Sequence, residues 1–319
     1  MSNHAVEVIP VTLLPHPNAD SLSIVRCLGW QAIVRTADWE GRDVGAYIPP
    51  DSVLPDGLMP DIPRRVRAVR LRGEISEGLL VPAPDGACLG DDVAALLGVT
   101  HYEPAPETVS GDDATPPAGY VPVYDVENAR RYSRWAPDET LVVTEKLHGE
   151  NWRATYRDGQ VHVASRTRWK QEVSDGRLSH FWLTMDDDVR RFLVDHEGVV
   201  LYGESYGGVG GFPYDAPKGG RRVRVFDVWG SAGEGWWSWD RLRAWTENYG
   251  IATVPELARL PFSTLNDLAP YAEGPSSLNG SHIREGVVVR PVREERPTAS
   301  PGDRAVLKLI GRGYLTKKG

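Results

Sequence analysis

Lysine is scarce in this chain. Of 36 basic residues six are lysines, and Lys146 is the only one among the first 169 residues. Cysteine is nearly missing. Cys27 and Cys88 are too few for a disulfide framework and lack metal-ligand spacing, so both are expected as core residues in a reducing compartment. No run of 18 apolar residues occurs, and Met1-Ser2-Asn3-His4 is not a charged leader before an apolar segment. The expectation is a cytoplasmic protein with neither a membrane span nor a signal peptide. What is present is ordinary for a soluble globular protein: 41% hydrophobic and 25% charged residues. At 319 residues, two domains are expected.

A net charge of −8 argues, taken whole, against a nucleic-acid partner. The average conceals an asymmetry. Residues 1–120 carry 8 arginines, no lysine and 17 acidic residues, a balance of −9, which leaves +1 for the rest. The later part is therefore free to present basic patches, such as Arg130-Arg131 with Arg134, Arg166/Arg168/Lys170 and Arg221-Arg222 with Arg224.

Residues 101–119 (HYEPAPETVSGDDATPPAG) have linker composition, which predicts a domain at 1–100, a linker, and a second domain at 120–319. In the first, β-type runs (Ala5–Leu14, Leu22–Leu28, Trp30–Thr36, Asp43–Ile48, Val66–Leu71, Gly78–Val81) alternate with Gly/Pro turns. This pattern predicts a small barrel. His16-Pro17-Asn18-Ala19-Asp20-Ser21-Leu22 and Ser76-Glu77-Gly78-Leu79-Leu80 resemble the oligonucleotide-binding (OB) barrels appended to tRNA-binding proteins. Any nucleic-acid face there would use Arg64, Arg65, Arg67, Arg70 and Arg72, with Trp30 and Trp39 as stacking platforms. After the linker, a hairpin is predicted around Asp158-Gly159. Helices are predicted at Leu178–His196 and Trp239–Tyr249, and strands at Leu141–Thr144, Val199–Gly203, Val223–Trp229, Gly286–Arg290 and Ala305–Ile310. The fold class is α+β, with antiparallel sheets in the second domain.

Lys146 closes the apolar run Leu141-Val142-Val143-Thr144, which predicts a buried strand delivering it to a pocket floored by a glycine turn. An arginine stays protonated and cannot attack phosphorus; a lysine can, once its amine is neutral. Five later segments bring polar groups to apolar strands: Ser165-Arg166, Gly203-Glu204, Phe226-Asp227, Glu285-Gly286 and Lys308 within Leu307-Lys308-Leu309. Singly each is readable as a cap, a surface charge or a core ring. Together they supply a nucleophile, carboxylates for a hydrated cation or a ribose, positive charge for a phosphate, and a ring to stack on a base.

In this order the segments resemble the covalent nucleotidyltransferases. Lys146-Leu147-His148-Gly149-Glu150-Asn151 is similar to their first motif. Its His and Asn match the nick-sealing RNA ligases of the phage RNA ligase 2 and kinetoplastid editing type, rather than the Lys-x-Asp-Gly of DNA ligases and capping enzymes. An N-terminal barrel resembles the arrangement of the Deinococcus-type RNA ligases. The resemblance implies an OB-like barrel followed by an adenylyltransferase domain of ATP-grasp-like ligase type. It also implies ATP and Mg²⁺ (or Mn²⁺) as cofactors, and a nicked duplex with RNA on the 3′-OH side as partner. Lys146 is implied as nucleophile, Lys308 as α-phosphate contact, and the Glu145 backbone and Phe226 as adenine contacts. Arg166 and Glu204 would address the ribose and phosphate, Glu204 and Glu285 the metal, and His148 and Asn151 phosphate or metal-bound water. Asp227 is implied behind these residues. Many relatives have two lysines two residues apart in the last motif, whereas this chain has Val306 and Lys308. The sequence ends eleven residues beyond Lys308, so no C-terminal barrel is expected. Two alternatives stay open: a DNA ligase, and an RNA- or tRNA-binding protein with an inactive ligase-like domain.

Overall fold

The computed structural model describes residues 4–103, 111–130, 135–208, 212–231, 233–293 and 304–317. The chain divides into two compact units, Met1–Ala105 with Arg312–Gly319, and Pro106–Gly311. Arg131 and Arg134 of one predicted basic patch lie outside the described residues.

The first unit is built from short antiparallel strands. Glu7–Pro10, Val44–Ile48 and Leu79–Pro82 form one sheet; Leu14–Pro15, Leu22–Cys27 and Trp30–Arg35 form another. A hairpin, Ala68–Leu71 with Glu74–Glu77, and the pair Ser52–Val53 with Thr100–His101 complete it. Thr100 and His101 are thus part of the barrel's hydrogen bonding. The strands alternate side chains into two apolar clusters, one around Val8, Ala46, Ile48 and Val81, the other around Val25, Trp30, Trp39 and Tyr47. Trp30 and Trp39 are core residues here, which removes them as stacking platforms. Cys27 is buried, and burial pushes its thiol up to about 12; Cys88 is exposed, contrary to the expected core position. The helix Arg312–Lys317 belongs to this unit, where the Arg312 guanidinium donates to the fully buried Glu77 carboxylate at 3.1 Å.

The second unit contains two five-stranded sheets. In the first, Thr140–Lys146 pairs antiparallel with the edge strand Glu256–Pro261 on one side and the central strand Gly286–Pro291 on the other. Leu307–Ile310 follows Gly286–Pro291, and Glu127–Asn128 joins it in parallel, the one exception to the antiparallel pattern in this sheet. Side-chain alternation gives this sheet two different faces. Leu141, Val143, Val287, Val289, Leu307 and Leu309 enter one hydrophobic cluster. Thr144, Lys146, Val288, Arg290 and Lys308, at the intervening positions, line a cavity.

The second sheet runs Trp169–Lys170, Gln160–Ala164, Glu150–Arg157, Val200–Tyr206, Arg222–Trp229. Its hairpin turns at Asp158 and Gly159 with φ of 53° and 77°, the two positive angles that a two-residue I′ turn requires. The helix predicted over Leu178–His196 starts late: Trp182–Thr184 is a 3₁₀ turn and the α-helix is Asp187–Asp195. Met185 is extended, and Asp186 restarts the helix by accepting from the Val189 amide, with Asp187 and Asp188 favouring its N-terminus. Trp239–Tyr249 is helical as expected, capped by Ser238 and closed by Gly250 in the left-handed conformation. Among the described residues no helix is long and apolar enough to cross a membrane.

Candidate active site

Lys146, Glu145, Asn151, Arg166, Glu204, Phe226 and Lys308 line one cavity of about 200 Å³ in the second unit, together with Tyr124, Asp125, Thr144, Val254, Val288 and Arg290. The register explains the convergence. Lys146 lies opposite Gly286 on the neighbouring strand, which puts Glu285 beside it. The Lys146 ammonium donates to Glu285 Oε1 at 2.8 Å. In the other sheet Asn151 lies directly opposite Glu204, so both side chains project from the same face.

Burial alone would depress the Lys146 amine, but the carboxylates of Glu285 and Glu204 outweigh it and hold its pKa above the ordinary lysine value. The protein's own groups therefore favour the charged amine. Glu204 shows the converse: burial pushes its carboxyl up to about 7, against the Lys146 charge, and Glu285 adds to the rise. Glu285 also loses solvation by burial, yet Lys146 and His148 hold it below the usual carboxylate range. Lys308 is held below the ordinary lysine range by burial and by the Lys146 charge.

Residues 147–149 carry the chain from one sheet to the other. The His148 N–H donates to the Tyr214 hydroxyl at 2.8 Å, and the Gly149 amide bonds the Glu204 carboxylate. A Cβ on Gly149 would lie 2.3 Å from the Ser205 carbonyl oxygen, so only glycine fits there. The His148 imidazole reaches Glu285 Oε2 at 3.7 Å.

Glu145 contributes backbone to the cavity, while its side chain takes the opposite face of the strand. There its carboxylate accepts from the Ser277 amide at 2.8 Å, tying down the loop that leads to Glu285. Arg166 pairs with Asp125 at 2.9 Å, both half exposed. Phe226 stands against Tyr124, ring centroids 4.8 Å apart and tilted by 54°. Asp227 is fully buried beneath the cavity and receives Arg290 at 3.2 Å and Arg304 at 2.9 Å. Of the expected basic patches, Lys170 pairs with Asp112 and Asp113, Arg221 with Glu150, and Arg222 and Arg224 with Asp215.

Sequence reasoning missed Tyr124, Asp125 and Arg290 as cavity residues. Tyr120–Val126 follows the linker and shows no strand period. Arg290 was legible in principle, because in Val287-Val288-Val289-Arg290 it shares the parity of Val288 and not of the core valines.

The residues present fit a divalent cation of the hard, oxygen-seeking kind. Among the described residues Asn151 Oδ1 and Glu285 Oε2 are buried without hydrogen-bond partners, and Glu204 adds a carboxylate. Among the described residues no group of three or more His, Cys, Asp or Glu side chains forms a closed metal cage. The fit is therefore to an ion held by one or two carboxylates, with phosphate and water completing its shell.

A lysine at a strand end, a cavity of about 200 Å³ and the basic and acidic side chains around it thus make up one site in the second unit. A family model for RNA ligase matches residues 139–310. The chain belongs to the RNA ligase family. An OB-fold domain model matches residues 5–83. No curated protein matches the sequence. Among solved structures, a mutant Naegleria gruberi RNA ligase with ATP and Mn is 21% identical, covers 99% of each chain and superimposes with a TM-score of 0.77. An apo mutant of that organism's RNA ligase is 22% identical over 100% of this chain and 99% of its own, with a TM-score of 0.78. The same organism's RNA ligase with PPi is 21% identical over 98% of each chain, TM-score 0.70. At these identities the likeness shows a shared fold.

Proposed function

We propose that the protein is an ATP-dependent RNA ligase of the Deinococcus type, acting in the cytoplasm. It seals 3′-OH/5′-phosphate nicks through lysyl-AMP on Lys146 and an adenylylated 5′ end. The observation that carries this reading is the convergence of Lys146, Glu204, Arg166, Phe226 and Lys308 on one cavity, with Glu285 bonded to the Lys146 ammonium beside it. In the first step the Lys146 Nζ lone pair forms a bond to the α-phosphorus of ATP, and the bond to the pyrophosphate oxygen breaks. AMP then passes to the 5′-phosphate of the nick. The neighbouring 3′-hydroxyl attacks that phosphate and expels AMP.

The amine must first lose its proton. From an ordinary lysine pKa this costs about 4–5 kcal/mol at neutral pH. The ion pair with Glu285 adds to the cost in the free protein. Glu204 and Glu285 would hold the cation, which when bound supplies positive charge that offsets their pull on the Lys146 proton. Lys308, which lines the cavity, contacts the α-phosphate in this reading and neutralises charge developing at phosphorus. Phe226 and the Glu145 backbone hold adenine, Arg166 and Glu204 the ribose and phosphate side, and Asn151 and His148 the reacting phosphate. Asp227 acts from behind by fixing Arg290.

Nicked duplexes with ribose or deoxyribose on the 3′-OH side, on the 5′-phosphate side and in the template test the proposal. Sealing that requires ATP and ribose at the 3′-OH end is the expected result. Equal sealing of all-DNA nicks points to a DNA ligase. No sealing, with RNA binding retained, points to an inactive ligase-like domain.

A further inference from the structure

The segment that joins the two sheets, residues 147–149, passes beside Lys146 and carries His148. No strand partner satisfies the His148 amide. Its acceptor is a side chain 66 residues away, the Tyr214 hydroxyl at 2.8 Å. Tyr214 is itself unusual: it is a bulky residue with φ of +48° and is almost wholly buried, at 4% exposure. A conformation of that kind persists only where surroundings over-determine it. They do so here. The Tyr214 carbonyl accepts from the Asn279 side chain at 3.1 Å. The adjacent Asp215 carboxylate accepts from the Tyr206 hydroxyl at 2.7 Å and from Arg224 at 2.9 Å. Phe212, on the same loop, sets its ring edge-on to the His148 imidazole at 5.0 Å. The loop 212–216 thus grips His148 twice, at the backbone and at the ring, while the imidazole stands 3.7 Å from Glu285.

We propose that Tyr214 is a positioning residue for the reaction: its hydroxyl fixes the His148 backbone, and thereby aims the His148 ring at the phosphate handled between Lys146 and Glu285. The inference rests on the proposed ligase activity. Tyr214 touches neither nucleotide nor reacting atoms in this scheme; it acts through His148. A strained, buried tyrosine bonded at both its carbonyl and its hydroxyl, beside an anchored Asp215, is more than packing needs, and its hydroxyl contacts His148, two residues beyond Lys146.

The test is a double-mutant cycle with Tyr214→Phe and His148→Ala, read as single-turnover rates of Lys146 labelling by ATP and of sealing of a pre-adenylylated nick. Tyr214→Phe keeps the ring and removes only the acceptor. It should slow whichever of the two steps His148→Ala slows, by about 10- to 100-fold, with the ATP KM held within about twofold. In the His148→Ala background it should have no further effect, because interactions in series are not additive. Asn279→Ala, which loosens the same loop from a different tether, should slow the same step by less. Additive losses in the double variant, or a loss confined to melting temperature, would overturn the inference. So would a Tyr214→Phe enzyme as fast as wild type. Absence of lysyl-AMP in the wild-type protein is a different outcome and counts against the ligase reading instead.

Discussion

The two units bury polarity in different ways. Among the described residues of the barrel the buried polar ones are Ser23, Gln31, Ser52, Ser76, His16 and a single carboxylate, Glu77. In the second unit Glu145, Arg153, Asp227, Glu285, Arg290 and Arg304 are all buried. The barrel is also the more acidic part of the sequence, so charge content does not explain the contrast. Burying an ion costs several kcal/mol unless a partner and further hydrogen bonds compensate. The second unit meets that cost around one cavity, where Asp227 carries two arginines and Glu285 carries Lys146. The lesson is that placement of charge, rather than its amount, marks the working part of the molecule.

The contrast breaks most sharply at Asp227. Replacing it with Ala strands Arg290 and Arg304, each no more than 3% exposed, and should destabilise the second unit by about 3–5 kcal/mol. Chemical denaturation reads this directly; a loss under 1 kcal/mol contradicts the compensation argument. Next in size, Lys308→Ala should reduce the rate of ATP-dependent self-labelling by about 10²–10³-fold with little change in melting temperature, because in the proposed reaction the lysine neutralises developing charge, and it is no core residue. In the barrel, Glu77→Gln should cost about 1–3 kcal/mol, from one weakened charge-assisted bond to Arg312. If that loss equals the Asp227 loss, the two units do not differ as argued.

The smallest effect concerns acid. Burial alone would raise the Asp215 carboxyl, but bonds from Tyr206 and Arg224 hold it below the usual range. A depressed carboxyl stabilises the fold above its unfolded pKa of about 3.9, and that stability is lost as pH falls through the folded value. The gap in stability between wild type and Asp215→Asn should therefore be constant near neutrality and shrink below about pH 4. Denaturant midpoints across that range give the answer, and a gap that widens on acidification reverses the sign.

Much of this was legible before any coordinates. The apolar run Leu141–Thr144 already announced a buried strand ending at Lys146, and Asp158-Gly159 announced its turn. What stayed hidden depended on tertiary context. Tyr124 and Asp125 lie in a stretch with no regular pattern, and only packing against Phe226 and Arg166 brings them to the cavity. The delayed start of the helix at Asp187 reflects a local contest won by Asp186 as cap. Trp30 and Trp39 looked like binding platforms because composition cannot tell which face of a barrel strand is inside. The Glu145 backbone was expected at the nucleotide, and the residue does line the cavity; that its carboxylate holds Ser277 on the far face follows from strand parity once Lys146 is placed.

The central claim is that one amine carries adenylate between ATP and RNA. Incubation with ATP and a divalent cation, followed by proteolysis and mass measurement of the peptide containing Lys146, tests it most directly. The account predicts an AMP adduct on Lys146 that disappears when 5′-phosphorylated nicked RNA is added, and none in Lys146→Ala. An adduct on another residue, or an unchanged adduct yield in the variant, would contradict it.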